Sequence, residues 1–170
     1  MNRNIEIKAR IASVEALLPL AASVADEGPT LIQQDDSFFA CAQGRLKLRQ
    51  FADGRGELIF YQRADSAGPK TSFYQRSTTE SPDSLREVLT LAHGVVGRVR
   101  KQRTLFIAGR TRIHLDRVLG LGDFLELEVV LAPEESEAEG MAEAHALMGR
   151  LGVAPAQLVQ GAYVDLLAGR

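Results

Sequence analysis

The stretch Arg3-Asn4-Ile5-Glu6-Ile7-Lys8-Ala9-Arg10 decides how the rest of the chain is read. Side chains alternate across a β-strand, so Ile5 and Ile7 point one way and Asn4, Glu6 and Lys8 the other. On one strand alone, a solvent-facing surface explains the charged side. The same alternation returns in Arg45-Leu46-Lys47-Leu48-Arg49, in Arg112-Ile113-His114-Leu115-Asp116 and in Phe124-Leu125-Glu126-Leu127-Glu128. One set of faces collects Ile5, Ile7, Leu46, Leu48, Ile113, Leu115, Leu125 and Leu127. The other collects Glu6, Lys8, Arg45, Lys47, Arg49, Arg112, His114, Asp116, Glu126 and Glu128.

Two architectures fit this pattern. One is a half-exposed antiparallel sheet with two or three helices over its apolar faces. The other is an α+β fold whose antiparallel strands, about eight in number, close or nearly close into a barrel with helices packed outside. In the barrel the charged faces line the interior, which is costly unless that interior is wet and binds an ion.

The residues between these strands supply turns and helices. Ser13 is an N-cap for a helix to Ala25, with Pro19 expected to kink or shorten it. Gly28 and Pro29 then break the helix, and Leu31 to Ala42 reads as extended, with an acidic bend. Asp53-Gly54-Arg55-Gly56 forms the turn of a hairpin ending at Arg63. Asp65 to Pro69 is a loop, and Lys70 to Ser77 a strand. Ser81-Pro82-Asp83 opens a helix that Gly94 ends. Strands follow over 95–107, 110–119 and 124–129. Ser136 and Glu139 form a capping box for a helix to about Leu151, and a terminal helix covers 156–167.

The chain has 170 residues, 45% of them hydrophobic and 25% charged, as expected for one soluble domain spanning 1–170 with a C-terminal helical segment from about 134. Lys+Arg 20 against Asp+Glu 22 gives a net charge of −2, which argues against a nonspecific nucleic-acid partner. Cys41 has no second cysteine to pair with and reads as an inert, partly buried thiol. No signal-like apolar segment and no run of transmembrane length occurs, so the expectation is a cytoplasmic protein without a membrane partner.

A ring of Arg and Lys supplies charge-assisted donors for phosphate oxygens. Carboxylates beside them do not hold phosphate directly; they hold Mg²⁺ or Mn²⁺, which bridges to it. The mixture therefore points to a metal–polyphosphate site. No Walker-type glycine loop is present. His114 reads first as a hydrogen-bonded wall residue, with titration or metal binding as the alternative roles.

Taken together, these residues resemble the CYTH family of triphosphate tunnel proteins, which includes class IV adenylate cyclases, thiamine triphosphatases and inorganic triphosphatases. The family's Glu-x-Glu-x-Lys corresponds to Asn4-Ile5-Glu6-Ile7-Lys8. The resemblance continues through Arg45–Arg49, Lys101-Gln102-Arg103, Ile113–Asp116 and Leu121–Glu128. Gly161-Ala162-Tyr163-Val164-Asp165-Leu166-Leu167 looks most like the cyclase branch. The resemblance implies divalent metal, Mg²⁺ or Mn²⁺, at Glu6, Asp116, Glu126 and Glu128. It implies triphosphate binding by Lys8, Lys47, Arg49, Lys101 and Arg103, with Arg45 and Arg112 at the mouth or wall, and it gives Asp116, Lys101 and Arg103 catalytic roles. It alone selects Lys101 and Arg103 over Arg98 and Arg100. The implied substrate is ATP or another triphosphate or polyphosphate, converted by cyclase or triphosphatase chemistry or bound without turnover. Family members often pair, so a homodimer is a further expectation. Two departures stand out. Asn4 replaces the first Glu, and Gln62 stands where the cyclase branch is expected to carry Lys, with Arg63 expected to face away.

Overall fold

The computed structural model describes residues 2–64 and 66–169. Asp65, which opens the expected loop, lies outside the described residues. Eight strands form a closed, wholly antiparallel barrel in the order β1-β5-β4-β3-β2-β6-β7-β8. The strands are β1 (Asn2–Arg10), β2 (Glu27–Phe39), β3 (Arg45–Phe51), β4 (Gly56–Arg63), β5 (Lys70–Thr79), β6 (Val95–Ala108), β7 (Thr111–Val118) and β8 (Gly122–Val130). The helices are α1 (Val14–Val24), α2 (Pro82–His93), α3 (Glu137–Arg150) and α4 (Tyr163–Ala168).

The barrel is inverted relative to most small barrels, with its main apolar cores outside. Ile5, Ile7, Ile113, Leu115, Leu125 and Leu127 are buried between β1, β7, β8 and the helices α1 and α3. Leu48 and Phe39 are buried under α2, where they meet Leu89. A third cluster, of Phe38, Val99, Val118, Phe124, Ala162, Tyr163 and Val164, closes one end of the barrel beneath α4. Two-residue alternation sends one face of each strand to these layers and the other to the interior.

Several local expectations change. Pro19 lies inside α1, on its exposed side, and the helix runs on through it to Val24. Gly28 and Pro29 belong to the start of β2, where the pairing with β6 shifts register. Ser81 precedes α2 without a side-chain cap bond, whereas Ser13 accepts from the Ala16 amide and the Ser136–Glu139 capping box forms. The expected helix over 156–167 is a 3₁₀ turn at Pro155–Gln157 followed by α4, separated at Gly161, whose φ is 81°. Cys41 is exposed rather than partly buried. No helix among the described residues is long and apolar enough to cross a membrane.

Helix α3 approaches β1 closely because residue 140 is glycine. A Cβ there would meet Ile5 Cγ1 at 2.6 Å and Leu131 Cδ2 at 2.7 Å, whereas Gly149 has open space. Gly140→Ala should therefore destabilise the protein by about 1–3 kcal/mol through overpacking. Gly149→Ala should be neutral or stabilising by up to about 1 kcal/mol, from helix propensity. Urea unfolding of the two variants checks this; equal effects would mean that α3 does not sit so close to β1.

Candidate active site

The interior is a charged cavity of about 400 Å³. Each strand delivers alternate residues to it: Asn4, Glu6 and Lys8 from β1, Gln34 and Asp36 from β2, and Lys47 and Arg49 from β3. Arg63 comes from β4, Lys101 and Arg103 from β6, Arg112 and His114 from β7, and Glu126 and Glu128 from β8. Cross-strand pairing explains the grouping. Lys8 stands opposite Glu126 and Glu6 opposite Glu128. His114 faces Glu126 and Arg112 faces Glu128 on the other side.

Two arginine–aspartate forks stiffen the wall. Arg49 Nε and Nη2 donate to the two oxygens of Asp36, each at 2.8 Å. Arg103 Nε and Nη2 donate to Asp116 at 2.7 and 2.8 Å, and Nη2 also reaches Glu126 at 3.4 Å. Planar guanidinium and planar carboxylate match in this geometry, so the forks hold their arginines in one orientation. Asp36 also faces Lys101 at 3.3 Å and Lys47 at 3.6 Å. Burial would push its carboxyl up, but the Arg49, Lys101 and Lys47 charges outweigh burial and hold it well below the usual range.

The lysines are less well neutralised. Burial lowers Lys47 to about 7, with Arg49 adding to the effect and Asp36 opposing it. Burial lowers Lys8 to about 8 against the pull of Glu126. Lys101 is lowered by burial as well, in spite of Asp36. Among the carboxylates, burial opposes ionisation of Glu126, but Lys8 and Arg103 keep it well below the ordinary value. Glu128 is raised, by burial and then by the facing Glu6 charge. Like charges opposite one another in a ladder are unfavourable without a cation between or beside them.

The helix α4 inserts Tyr163 into one end. Lys8 Nζ lies 3.9 Å from the centroid of its ring and donates to Gly161 O at 3.2 Å. The Tyr163 hydroxyl donates to Asp116 at 2.8 Å, and its ring meets Phe124 edge-on at 5.0 Å. A Cβ on Gly97 would collide with Val164 Cγ2, so the glycine in β6 is what lets α4 seat this deeply.

Of the residues singled out from sequence, Glu6, Lys8, Lys47, Arg49, Lys101, Arg103, Arg112, Glu126 and Glu128 come together in the cavity. Arg98 and Arg100 are exposed on the outer face, and Arg98 pairs there with Asp35. Arg45 stands apart, paired with Asp165 of α4 at 2.5 Å. Asp116 departs from its expected place at the metal. It is fully buried behind the wall, with both oxygens engaged by Arg103 and Tyr163. Arg63 also departs from expectation. It faces inward and donates to Glu6 at 2.7 Å, while Gln62 is exposed and reaches the Gln43 carbonyl. Hairpin register gives the reason: Arg45 pairs with Tyr61 and Lys47 with Ile59, so odd positions share a face on both strands. Asp36 and Tyr163 escaped sequence reading. Two adjacent aspartates carry no parity signal, and a tyrosine in a short terminal helix looks like ordinary packing.

The family comparison agrees with this geometry. The CYTH domain model matches residues 2–163. The chain belongs to the CYTH domain family. It is 24% identical over 173 residues to Adenylate cyclase CyaB of Aeromonas hydrophila, covering 95% of this chain and 87% of that one. Among solved structures, the PH1012 protein of Pyrococcus horikoshii OT3 superposes with a TM-score of 0.86 at 22% identity, over 96% of this chain and 98% of the other. HpAC1 from Hippeastrum, named for adenylyl cyclase but with a dominant triphosphatase activity, gives 0.67 at 16% identity, over 99% and 94%. At these identities the structural likenesses establish the CYTH tunnel fold.

Asp36 is the sharpest test of the tunnel's charge balance. Asp36→Asn leaves Arg49, Lys47 and Lys101 facing one another and should cost roughly 3–5 kcal/mol at pH 7. The Asp36 carboxyl is depressed in the folded protein, so its contribution is present above the unfolded value of about 3.9 and is lost as pH falls below it. The stability gap between wild type and variant should therefore shrink between pH 5 and pH 3 in denaturant titrations. A gap that is constant with pH would show that Asp36 contributes by packing alone.

Proposed function

We propose that this chain is a divalent-metal-dependent enzyme acting on triphosphates, most closely a class IV adenylate cyclase that converts ATP to cyclic AMP and pyrophosphate. The observation that carries the reading is a barrel cavity lined by Lys8, Lys47, Arg49, Lys101 and Arg103, with Glu126 and Glu128 facing them. A triphosphate brings roughly four negative charges, a load suited to such a cation-rich interior. In this reading all of 1–170 acts as one tunnel domain in the cytoplasm, without a nucleic-acid or membrane partner. The near-neutral net charge supports a small anion rather than a nucleic acid as ligand.

The residues present fit a divalent ion. Asn4, although it lacks the charge of glutamate, leaves its side-chain oxygen buried in the same cavity without a hydrogen-bond partner among the described residues. Glu6 and Glu128 oppose each other in the ladder, and Glu126 is adjacent. Glu6, Glu126 and Glu128 would hold a divalent ion there, which would supply charge neutralisation at the phosphoryl oxygens. The other tasks fall to the chain. Lys47, Lys101 and Lys8 take phosphate oxygens. Arg49 and Arg103 present fixed donors, and Asp116 is a positioning residue that sets the Arg103 plane. In the cyclase reaction the ribose 3′-hydroxyl oxygen bonds to the α-phosphorus as the bond to pyrophosphate breaks, and the hydroxyl proton passes to water in the open tunnel. The cationic wall stabilises the leaving group's charge.

Triphosphatase activity is the second reading. The Hippeastrum relative's dominant triphosphatase activity favours it. Product analysis with Mg²⁺ or Mn²⁺ and either ATP or tripolyphosphate separates the two. Cyclic AMP plus pyrophosphate, reduced about 10–100-fold or more in Glu126→Ala, is the expected result. Orthophosphate without cyclic AMP would move the protein to the triphosphatases. No product from either substrate would sink the enzymatic reading for both.

Binding should take up protons. Lys47 near 7 and Lys8 near 8 are partly neutral at pH 8, and an anion beside them favours the charged form. Tripolyphosphate affinity should therefore fall as pH rises from 6.5 to 9, by up to roughly tenfold per pH unit for each proton linked. Calorimetry in buffers of different ionisation enthalpy, corrected for titration of the ligand itself, measures the uptake. Lys47→Arg, which does not titrate in this range, should flatten the profile. An unchanged profile in that variant would exclude Lys47 as the source.

A further inference from the structure

The tunnel's carboxylates differ in how fully the chain's own cations engage them. Asp36 lies against Arg49, Lys101 and Lys47, and Asp116 gives both oxygens to Arg103 and Tyr163. Arg63 holds Glu6 at 2.7 Å. Glu126 and Glu128 have only longer contacts, 3.4 Å to Arg103 and 3.8 Å to Arg112 respectively. His114 stands opposite Glu126 in the β7–β8 ladder and is 1% exposed. Among the described residues its Nδ1 has no hydrogen-bond partner, and it lies 3.8 Å from Glu128 Oε1. One donor atom from each of His114, Glu126 and Glu128 falls within 4.8 Å of the other two. A buried imidazole nitrogen with no partner, set against two carboxylates, is costly unless something occupies the space between them.

We propose that His114, Glu126 and Glu128 form a divalent-cation site with one nitrogen donor, selecting a borderline first-row ion such as Co²⁺ over Mg²⁺. This deepens the metal-dependent reading above, and rests on it only for the presence of a divalent ion in the tunnel. The selectivity follows from ligand type. Mg²⁺ prefers an all-oxygen octahedral shell with several waters retained. Imidazole favours later first-row ions, whose affinity for nitrogen sites rises along the series. Ligation through Nδ1 places the ring proton on Nε2, so Arg112 gives up its long 3.5 Å contact there. Arg112 is 39% exposed in its side chain and has room to withdraw.

The test is metal binding alone, on the full chain, with no phosphate compound present. Calorimetric titrations with CoCl₂ and MgCl₂, supported by the visible spectrum of Co²⁺, should give one Co²⁺ site at least about tenfold tighter than Mg²⁺. His114→Gln should reduce Co²⁺ affinity by about tenfold or more and change Mg²⁺ affinity by less than about threefold. Equal losses for both ions, a Co²⁺ preference that survives in the variant, or no Co²⁺ binding would overturn the proposal. Should His114→Gln fold poorly, the imidazole ¹H–¹⁵N spectrum of the unmodified chain decides. Substoichiometric Co²⁺ must perturb the buried His114 ring before those of His93 and His145, which are exposed; the reverse order rejects the site. None of these readouts uses turnover. A negative result leaves triphosphate chemistry standing, and a chain that binds Co²⁺ through His114 yet makes no product fails only the catalytic reading.

Discussion

A buried cation needs an anion within reach, and that constraint organises the whole interior of this barrel. Removing water from a charged side chain costs several kcal/mol per ion in a real protein. The two forks, Arg49–Asp36 and Arg103–Asp116, meet that cost with matched planar geometry. The lysines lack such partners, and burial lowers Lys47, Lys8 and Lys101. A division of labour follows. The arginines are held in place by aspartates before any ligand arrives. The lysines gain most from an incoming anion, because they are the cations still short of negative charge.

Charge of this density inside a barrel requires that stability come from elsewhere. Here it comes from the outer apolar layers. Ile5, Ile7, Ile113, Leu115, Leu125 and Leu127 are excluded from water by α1 and α3, and Leu48 by α2. The same strands carry both jobs, since successive side chains point to opposite faces. A one-residue slip in any strand would exchange the two sets, placing leucines in the tunnel and charges under the helices. The register is therefore under pressure from both sides.

This two-sidedness is also why so much was legible in the sequence. Glu6, Lys8, Lys47, Glu126 and Glu128 each lie between apolar neighbours, and Arg49 shares the parity of Lys47, so alternation alone assigns them to one surface. The barrel rather than an open sheet, and the choice of Lys101 and Arg103 over Arg98 and Arg100, needed family resemblance, because β6 is charged on both faces. What stayed hidden depends on contacts between distant segments. Asp36 has Asp35 beside it, and only pairing with Arg49 and Val99 turns it inward. Arg63 faces inward against the family expectation at Gln62, because the β3–β4 register puts odd residues inside. Asp116 has the correct parity yet lies behind Arg103, a fact that requires knowing what Tyr163 brings from the far end of the chain.

Tyr163 bears on electrostatics beyond its own contacts. With Phe38, Val99, Val118 and Phe124 it forms an apolar cap across one end of the barrel, while the exposed Arg76 and half-buried Arg112 border the cavity elsewhere. A cap of this kind excludes water from the region around Lys8, Lys101 and Arg103. Charges there interact through a lower effective dielectric than surface pairs do, so each contact with an anion is stronger and less screened by salt. The same exclusion raises the cost of leaving those cations alone. Tyr163 answers part of that cost itself, by placing its ring against Lys8 and its hydroxyl on the aspartate that orients Arg103. The C-terminal helix is thus a structural part of the charged site, and Gly97, by admitting Val164, is what allows it to be one.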